Sequence, residues 1–219
     1  MRKFINSAAM SVVLALASQT ASADDNLFKS YAYGSSIHQY SEKYRYYDCT
    51  AAFNEKAMCL DDVEFINHKF SAALIFNGDK LQRVVLVTPF DHEVYMAALG
   101  ALFSSFYLTI MKDSSREVDA VEMRTKLSTT DYNKKLNEFE REAFESKSLN
   151  CLFLEGIKSS EGYNTAQALL DSAPMNIRVG ELVFRSEEGE AGDLMIKFEF
   201  PKLAHRDAMD TATQPVEKF

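Results

Sequence analysis

The sequence lacks the short motifs that mark the common catalytic and metal-binding sites. It has no Gly-x-Ser-x-Gly nucleophile elbow, no His-Glu-x-x-His zinc pair, no Cys-x-x-Cys pair, no glycine-rich phosphate loop and no calcium loop. Of the four histidines, only His92, between Asp91 and Glu93, resembles part of a site, and carboxylates in the first turn of a helix complement the helix dipole. We therefore predict no catalytic residues, no metal site and no cofactor, and we expect that the protein is not an enzyme.

Basic residues are also scarce. Lys and Arg number 24 against 32 Asp and Glu, which gives a formal net charge of -8 over 219 residues. No stretch gathers the basic residues into a stripe, and an excess of acid repels phosphate backbones and anionic lipid. The charge balance therefore argues against nucleic acid as a partner and favours a basic protein.

Cysteine is rare, with three residues in all. In an oxidising compartment the nearest pair, Cys49 and Cys59, is predicted to form a disulfide, which would close a short loop and stabilise the fold by about 3 kcal/mol in the chain-entropy model. Cys151 alternates with Leu149 and Phe153 on a predicted strand, so we expect it to be a small buried hydrophobe. The alternative for Cys151, a nucleophile or a mixed-disulfide partner, requires a lowered thiol pKa that no neighbouring His or Lys supports.

The first long apolar run lies at the N-terminus and has the pattern of a secretory signal peptide. Residues 1–3 are basic, residues 4–17 are mostly apolar, and Ala-Ser-Ala at residues 21–23 is a small-residue cleavage signal. We predict that residues 1–23 are a signal peptide, that cleavage follows Ala23, and that the protein is periplasmic. Removing two of the 24 basic residues with this segment would change the net charge from -8 to -10.

The second long apolar run has eighteen uncharged residues, from Val94 to Met111. Residues 95–102 are alanine-rich and favour a helix, whereas residues 106–110 are rich in strand formers. We therefore predict a buried helix followed by a strand, and no transmembrane segment in the mature chain.

The clearest local pattern of secondary structure lies between residues 58 and 103. Residues 69–76 alternate in the manner of a strand, residues 81–87 form a β-branched run, and Asn77-Gly78 predicts a tight two-residue hairpin turn between them. Thr88 is predicted to cap the following helix, with Pro89 at its first position and Asp91 three residues after the cap.

The second half repeats a mixture of helices and strands. Residues 112–148 are highly charged and contain an amphipathic helix introduced by Asp131, residues 149–157 return to strand character, Asn164 is predicted to cap a short helix, and residues 177–185 and 194–200 form a final hairpin. We expect one core, or two that abut, to include Leu74, Val85, Leu99, Phe139 and Phe198.

These elements predict an α+β fold in which antiparallel sheets of hairpins are covered on one face by helices, with the two halves as two loosely similar modules. The expected organisation is a helix-plus-hairpin module over residues 24–111, a second α+β part packed on it over residues 112–201, and a mobile tail over residues 202–219.

Residues 34–87 resemble a known kind of module. Their Gly-Ser helix start, their cysteine-containing strand and the hairpin Phe-Asn-Gly-Asp-Lys-Leu-Gln-Arg-Val at residues 76–84 resemble the small periplasmic helix-hairpin modules of the SmpA/BamE outer-membrane assembly lipoproteins and of beta-lactamase inhibitor proteins. The resemblance covers about a quarter of the chain, and the lipobox cysteine of the lipoproteins is missing. It implies a protein-binding role without catalysis.

Six of the ten tyrosines lie between residues 31 and 47. Tyrosine covers apolar area while keeping a polar tip, so such a cluster is typical of binding surfaces as well as of half-buried strand and helix edges. We predict a protein-binding surface at Tyr40, Tyr44, Tyr46 and Tyr47.

The sequence thus favours a non-catalytic exported protein that binds another protein, such as an envelope assembly factor, an inhibitor or an immunity protein. Two alternatives stay open. The sixteen phenylalanines would also suit a carrier of a small hydrophobic ligand, and an enzyme with an unrecognised site is the other.

Overall fold

A computed structural model describes residues 25–187, 189 and 191–212. The predicted signal peptide at residues 1–23 and its cleavage after Ala23 lie outside the described residues, as does the end of the predicted tail, residues 213–219. The strands are β1 (Asn26–Phe28), β2 (Tyr31–Ala32), β3 (Tyr47–Asp48), β4 (Ala57–Phe65), β5 (His68–Asn77), β6 (Lys80–Pro89), β7 (Phe106–Lys112), β8 (Glu117–Asp119), β9 (Ser148–Glu155), β10 (Val179–Arg185) and β11 (Asp193–Glu199). The α-helices are α1 (Thr50–Phe53), α2 (His92–Ser105), α3 (Ala120–Lys126), α4 (Thr129–Glu145), α5 (Ala166–Ser172) and α6 (Pro201–Ala212).

The architecture is α+β, as predicted. Nine strands form one antiparallel sheet in the order β3-β4-β5-β6-β11-β10-β9-β7-β8, and β1 and β2 form a separate ribbon. The pairing of β6 with β11 joins the strands of the first half to those of the second. The sheet also crosses the expected boundary between residues 111 and 112, because β7 pairs with both β8 and β9.

The main core lies on the face of the sheet that α2 and α4 cover. Side chains directly opposite one another form a row across seven strands, which comprises Leu60, Ala72, Leu86, Ile196, Leu182, Cys151 and Met111. Tyr95 of α2 and Phe139 of α4 are buried against this face. Cys151 is thus a member of an apolar row, which accounts for its burial.

The five expected core residues divide between the two faces of the sheet. Leu74, Phe139 and Phe198 are buried in the main core, and Leu99 packs half-buried against it. Val85 is buried in a smaller cluster with Ala57, Cys59, Ala73 and Ile75. Because successive residues of a strand point to opposite faces, this cluster lies behind the sheet. Another small cluster forms where α5 packs against Leu154 and Val179.

The central hairpin forms as predicted, but its turn and the helix after it begin later than the sequence pattern indicates. Asn77 pairs with Lys80, so Gly78 and Asp79 form the two-residue loop, and Gly78 has a positive φ of 59°. The prediction of Thr88 as the helix cap is wrong, because Thr88 belongs to β6 and pairs there with Leu194 of β11. Asp91 is the N-cap of α2, where its carboxylate accepts hydrogen bonds from the backbone N–H groups of Glu93 and Val94.

The apolar run after Val94 forms a helix followed by a strand, α2 and β7, as the sequence predicts. In the part of the chain that the structure describes, no helix combines the length and the apolar character that crossing a membrane requires.

The described residues of the tail that was expected to be mobile, from Lys202 to Ala212, lie in the helix α6. Leu203 is buried in the main core. The Lys202 Nζ donates hydrogen bonds to the carbonyl oxygens of Leu170, Asp171 and Ala173 at 3.1, 2.8 and 2.6 Å. A cation at the carboxyl end of a helix satisfies its last carbonyls and complements its dipole, so Lys202 holds α6 against the end of α5.

Candidate functional site

The predicted disulfide pair is brought together at one edge of the sheet. The Sγ atoms of Cys49 and Cys59 lie 2.05 Å apart and their Cα atoms 5.8 Å apart. The adjoining turn is tied down as well, because the Cys49 N–H donates to the Ala57 carbonyl oxygen at 3.1 Å and the Asp48 carboxylate accepts from the Thr50 N–H at 2.8 Å. The disulfide therefore fixes the short edge strand β3 to β4.

Two of the four predicted surface tyrosines serve mainly in packing. The rings of Tyr40 and Tyr46 meet edge to face with centroids 5.3 Å apart, and Tyr40 also contacts Phe76 at 5.7 Å. The Tyr40 hydroxyl shares a 2.8 Å hydrogen bond with Ser35, and the Tyr46 hydroxyl donates to Tyr31 at 3.3 Å. Burial raises the pKa of both phenols above their ordinary range. Both rings are half-buried against the main core, so little of either is free for a partner.

The other two, Tyr44 and Tyr47, are 57% and 44% exposed. Tyr44 ends a short 3-10 helix, Glu42–Tyr44, and Arg45 then takes a positive φ of 70° that turns the chain into β3. Tyr47 lies opposite Cys59 in the sheet, and its hydroxyl donates to Asp61 Oδ1 at 3.0 Å. Partial burial, followed by the Asp61 carboxylate, raises the pKa of Tyr47.

A bulge in β4 contains two carboxylates, Asp61, which bonds to Tyr47, and Asp62. The pairing of β4 with β5 shifts by one residue between Leu60 and Val63, and Asp62 has a positive φ of 60°. Asp61 Oδ1 also accepts from the Ser71 hydroxyl at 2.7 Å, while Asp62 pairs with Arg45 and Lys69 at 3.8 and 3.1 Å. We refer to Tyr44, Tyr47, Asp48, Asp61 and Asp62 as the edge surface.

The edge surface and its surroundings carry charges of both signs. Glu42, Asp48, Asp61 and Asp62 lie near Lys43, Arg45 and Lys69, and the Lys43 Nζ lies 5.5 Å from the centre of the Tyr44 ring. The edge surface itself carries three acids, but these three and Glu42 are nearly balanced by the neighbouring cations Lys43, Arg45 and Lys69.

His92 and Cys151, the two residues that could have suggested catalysis, lie in the helix α2 and the strand β9. His92 lies in the first turn of α2, with its ring centre 6.3 Å from that of Tyr95. The free thiol of Cys151 is buried, and burial is the main cause that raises its pKa. Among the residues described, no three His, Cys, Asp or Glu side chains are grouped so that they could hold a metal ion.

A small pocket lies between α2, α4 and the sheet, where a carrier of a hydrophobic ligand would hold its cargo. It measures about 80 Å³ and is lined by Tyr95, Leu99, Glu140, Cys151 and Phe153, among others. Ligand pockets measure about 300 to 1,000 Å³, so this cavity is too small for a lipid-sized molecule.

A larger cleft, which the sequence pattern did not indicate, adjoins this pocket at the end of the sheet opposite the edge surface. We call it the basic cleft and define it by Phe103, Tyr107, Arg124, Tyr132 and Lys158. Its two cations are 34 residues apart in the chain and meet only through the packing of α3 beside the segment that follows β9. The available signal was weak, because Arg124 and Lys158 belong to no common motif or element.

Comparison with known proteins finds no matching family model, no matching curated protein and no matching solved structure. The resemblance of residues 34–87 to the SmpA/BamE and beta-lactamase-inhibitor modules therefore stays a prediction.

Proposed function

We propose that this chain is an exported, periplasmic protein that acts without catalysis, by binding another protein through the edge surface. The observation that supports this most directly is the exposure of Tyr44 and Tyr47, 57% and 44%, beside a strand that a disulfide fixes in place. Exposed aromatic side chains are the usual anchors of protein interfaces. An assembly factor, an inhibitor and an immunity protein would all use such a surface.

Side chains, not the strand edge, supply the contacts in this proposal. An exposed strand edge can bind an extended peptide through its backbone, but β3 has only two residues, Tyr47 and Asp48, and offers too few free backbone groups. Tyr44 and Tyr47 instead present rings with polar tips. Because the Cys49–Cys59 link and the Tyr47–Asp61 hydrogen bond order this region before binding, a partner would meet a surface with little conformational entropy left to lose.

The partner is expected to be basic. The acids of the edge surface are nearly balanced by the neighbouring Lys43, Arg45 and Lys69, so attraction at a distance comes from the whole protein, whose net charge is -8, or -10 after the predicted cleavage. Long-range attraction of this kind mainly raises the association rate. We therefore expect association to slow as ionic strength rises past about 0.15 M, where the screening length is about 8 Å.

Site-specific photo-cross-linking tests the proposal. A benzophenone amino acid would replace Tyr44 or Tyr47 in turn, in cells that export the protein, and in a control it would replace Met175. Met175 is 47% exposed, which is close to Tyr47, and it lies in the segment between α5 and β10. The proposal predicts that one cross-linked protein appears with the label at residue 44 or 47 and is absent with the label at residue 175. Cross-linking of equal strength at all three positions, or at residue 175 alone, would contradict it.

A further inference from the structure

The basic cleft lies at the end of the sheet that contains β7, far along the chain from the edge surface. It has a volume of about 670 Å³, which is within the usual range for ligand sites. The end of α2, the helices α3 and α4, and the segment after β9 form its walls. Gly156, with a positive φ of 70°, turns the chain out of β9, and its N–H donates to the Ser105 carbonyl oxygen at 2.9 Å. This turn brings Lys158 to the cleft.

The charge of the cleft is opposite to that of the protein. None of its thirteen lining residues is acidic, although acids outnumber bases in the chain by 32 to 24. Within the described part of the chain, neither Arg124 nor Lys158 forms an ion pair with a carboxylate. Lys126, two residues beyond Arg124 in α3, is by contrast paired with Glu122. Two cations that form no ion pair with a carboxylate in the described residues thus line the same space.

Arg124 is held in a defined position. Its guanidinium carbon lies 5.1 Å from the centre of the Tyr132 ring, a cation–π contact. Tyr132 is itself buried under this contact, at 7% exposure. The planar group is therefore oriented before any ligand arrives, while its five donors are not used by an acid.

Arg124 and Lys158 lie between an apolar side of the cleft and a neighbouring group of hydroxyl side chains. Phe103, Tyr132 and Leu136 line one side of the cleft. An adjoining hollow of about 370 Å³ shares Tyr107, Arg124 and Lys158 with it and adds Ser159, Ser160 and Tyr163, with Glu161 as the one acid of its lining. The Tyr107 and Ser160 hydroxyls hydrogen-bond to each other at 2.8 Å at this junction.

We propose that the basic cleft binds a small organic anion that has one carboxylate or phosphate group and an apolar body. The charged group lies between Arg124 and Lys158, because a guanidinium fork matches the oxygens of a carboxylate or phosphate and an ammonium group adds a point charge. The apolar body lies against Phe103, Tyr132 and Leu136, where aromatic rings offer a large contact area. This site is independent of the edge surface and of the protein-binding role.

Calorimetric titration of the purified protein with three probes of equal chain length tests this proposal. The probes are decanoate, decyl phosphate and decan-1-ol, each below the concentration at which it aggregates. The proposal predicts that at least one of the two anions binds ten or more times as tightly as the alcohol, since hydrogen bonds to charged groups are each worth about 1.5 to 3 kcal/mol. The ratio between the two anions identifies the preferred head group. Equal affinity for the three probes, or binding of none, would overturn the proposal.

Variants then locate the binding site. Arg124→Gln and Lys158→Gln, both at exposed positions, should each weaken binding of the preferred anion about tenfold and leave the weaker binding of decan-1-ol unchanged. Phe103→Ala should weaken the binding of anion and alcohol alike. Lys126→Gln is the matched control, because it removes a cation of the same helix that is outside the cleft lining and already paired. Anion affinity that survives the Arg124→Gln, Lys158→Gln double variant, with circular dichroism showing a folded protein, would contradict the assignment.

Discussion

Arg178 and Glu155 connect the N-terminal ribbon to the end of the nine-stranded sheet. The Arg178 Nε donates to Glu155 Oε2 at 2.8 Å, and Nη2 donates to the other oxygen of the same carboxylate. Arg178 Nη1 donates to the carbonyl oxygens of Asn26 and Leu27 at 2.8 and 3.0 Å. A single guanidinium therefore satisfies groups on β9 and β1, with the rings of Phe106 and Phe198 also close to it.

Replacing Arg178 by Met should destabilise the protein by about 2 kcal/mol, because it leaves a half-buried carboxylate and two carbonyl groups without their donor. Urea unfolding followed by circular dichroism measures the change. Arg185→Met is the matched control: Arg185 is exposed at the end of β10, and surface changes usually stay within about 0.5 kcal/mol. Equal losses in the two variants would show that the Arg178 contacts contribute little.

The three cysteines should behave as a linked pair and one inert thiol. Burial, and next the Glu140 carboxylate, raise the pKa of the Cys151 thiol, so its reactive thiolate is scarce near neutral pH. Iodoacetamide should modify Cys151 only after unfolding, and peptide mapping should find Cys49 joined to Cys59. A mapped peptide that joins Cys151 to either partner would contradict this assignment.

The link itself should contribute to stability. Replacing both Cys49 and Cys59 by Ser should lower the free energy of unfolding by about 3 kcal/mol, the value for a loop of this length in the chain-entropy model. Urea unfolding of the double variant beside a Cys151→Ser variant, both under oxidising conditions, separates this effect from that of removing a buried thiol.

The core assignment predicts large effects from single truncations. Leu74→Ala and Phe198→Ala should each cost about 2 to 5 kcal/mol, since each removes a buried side chain and leaves a cavity. Leu127→Ala is the matched control, because Leu127 is 36% exposed between α3 and α4. Losses of about 0.5 kcal/mol or less at Leu74 and Phe198 would refute the assignment.

The turn between β7 and β8 should make stability depend on pH in the acid range. The pKa of Asp113 lies below its ordinary value. The main cause is the hydrogen bond from the backbone N–H of Ser115, and hydrogen bonds from Arg116 add to it. Asp113 accepts from the Ser115 and Arg116 N–H groups at 2.7 and 2.8 Å and pairs with the Arg116 guanidinium at 2.7 Å. The unfolded chain therefore binds the proton first, so the contribution is complete above about pH 4 and is lost as pH falls below that value.

Unfolding free energies measured from pH 6 down to pH 2 test this effect. Asp113→Asn should be less stable than the natural protein at pH 6, and the difference should shrink as the pH falls. A difference that stays constant across this range would show that ionisation of Asp113 does not contribute.

Local sequence patterns were sufficient to predict most of the fold. The alternation in residues 69–76, the helical spacing after Asp131 and the final hairpin each reflect a single element with one buried face, and each forms close to its predicted bounds. Boundaries that depend on other parts of the chain were not predictable. Thr88 and Pro89 have the chemistry of a helix start, but they extend β6 because β11, more than a hundred residues later, pairs with them.

The candidate sites were harder to predict than the fold, because they depend even more on contacts between distant parts of the chain. The tyrosine cluster was visible as composition, but residues 34–47 are mostly turns and 3-10 helix, without a period that would separate the packed Tyr40 and Tyr46 from the exposed Tyr44 and Tyr47. Arg124 and Lys158 meet only through tertiary packing. The helix α6 was not predicted because Lys202 binds backbone carbonyl groups at the end of α5. Every residue has such a group, so no sequence pattern indicates the contact.

The central claim is that Tyr44 and Tyr47 anchor a protein partner. Its most direct test is to purify the partner that cross-linking identifies and to measure how fast that partner, without a cross-link, dissociates from this protein. Tyr44→Ala and Tyr47→Ala each remove an exposed ring, so thermal stability should change little. Loss of a ring that anchors an interface costs about 2 kcal/mol or more, which corresponds to dissociation more than tenfold faster, whereas Met175→Ala should dissociate at the natural rate. Dissociation from the Tyr44→Ala, Tyr47→Ala double variant at the natural rate would contradict the account.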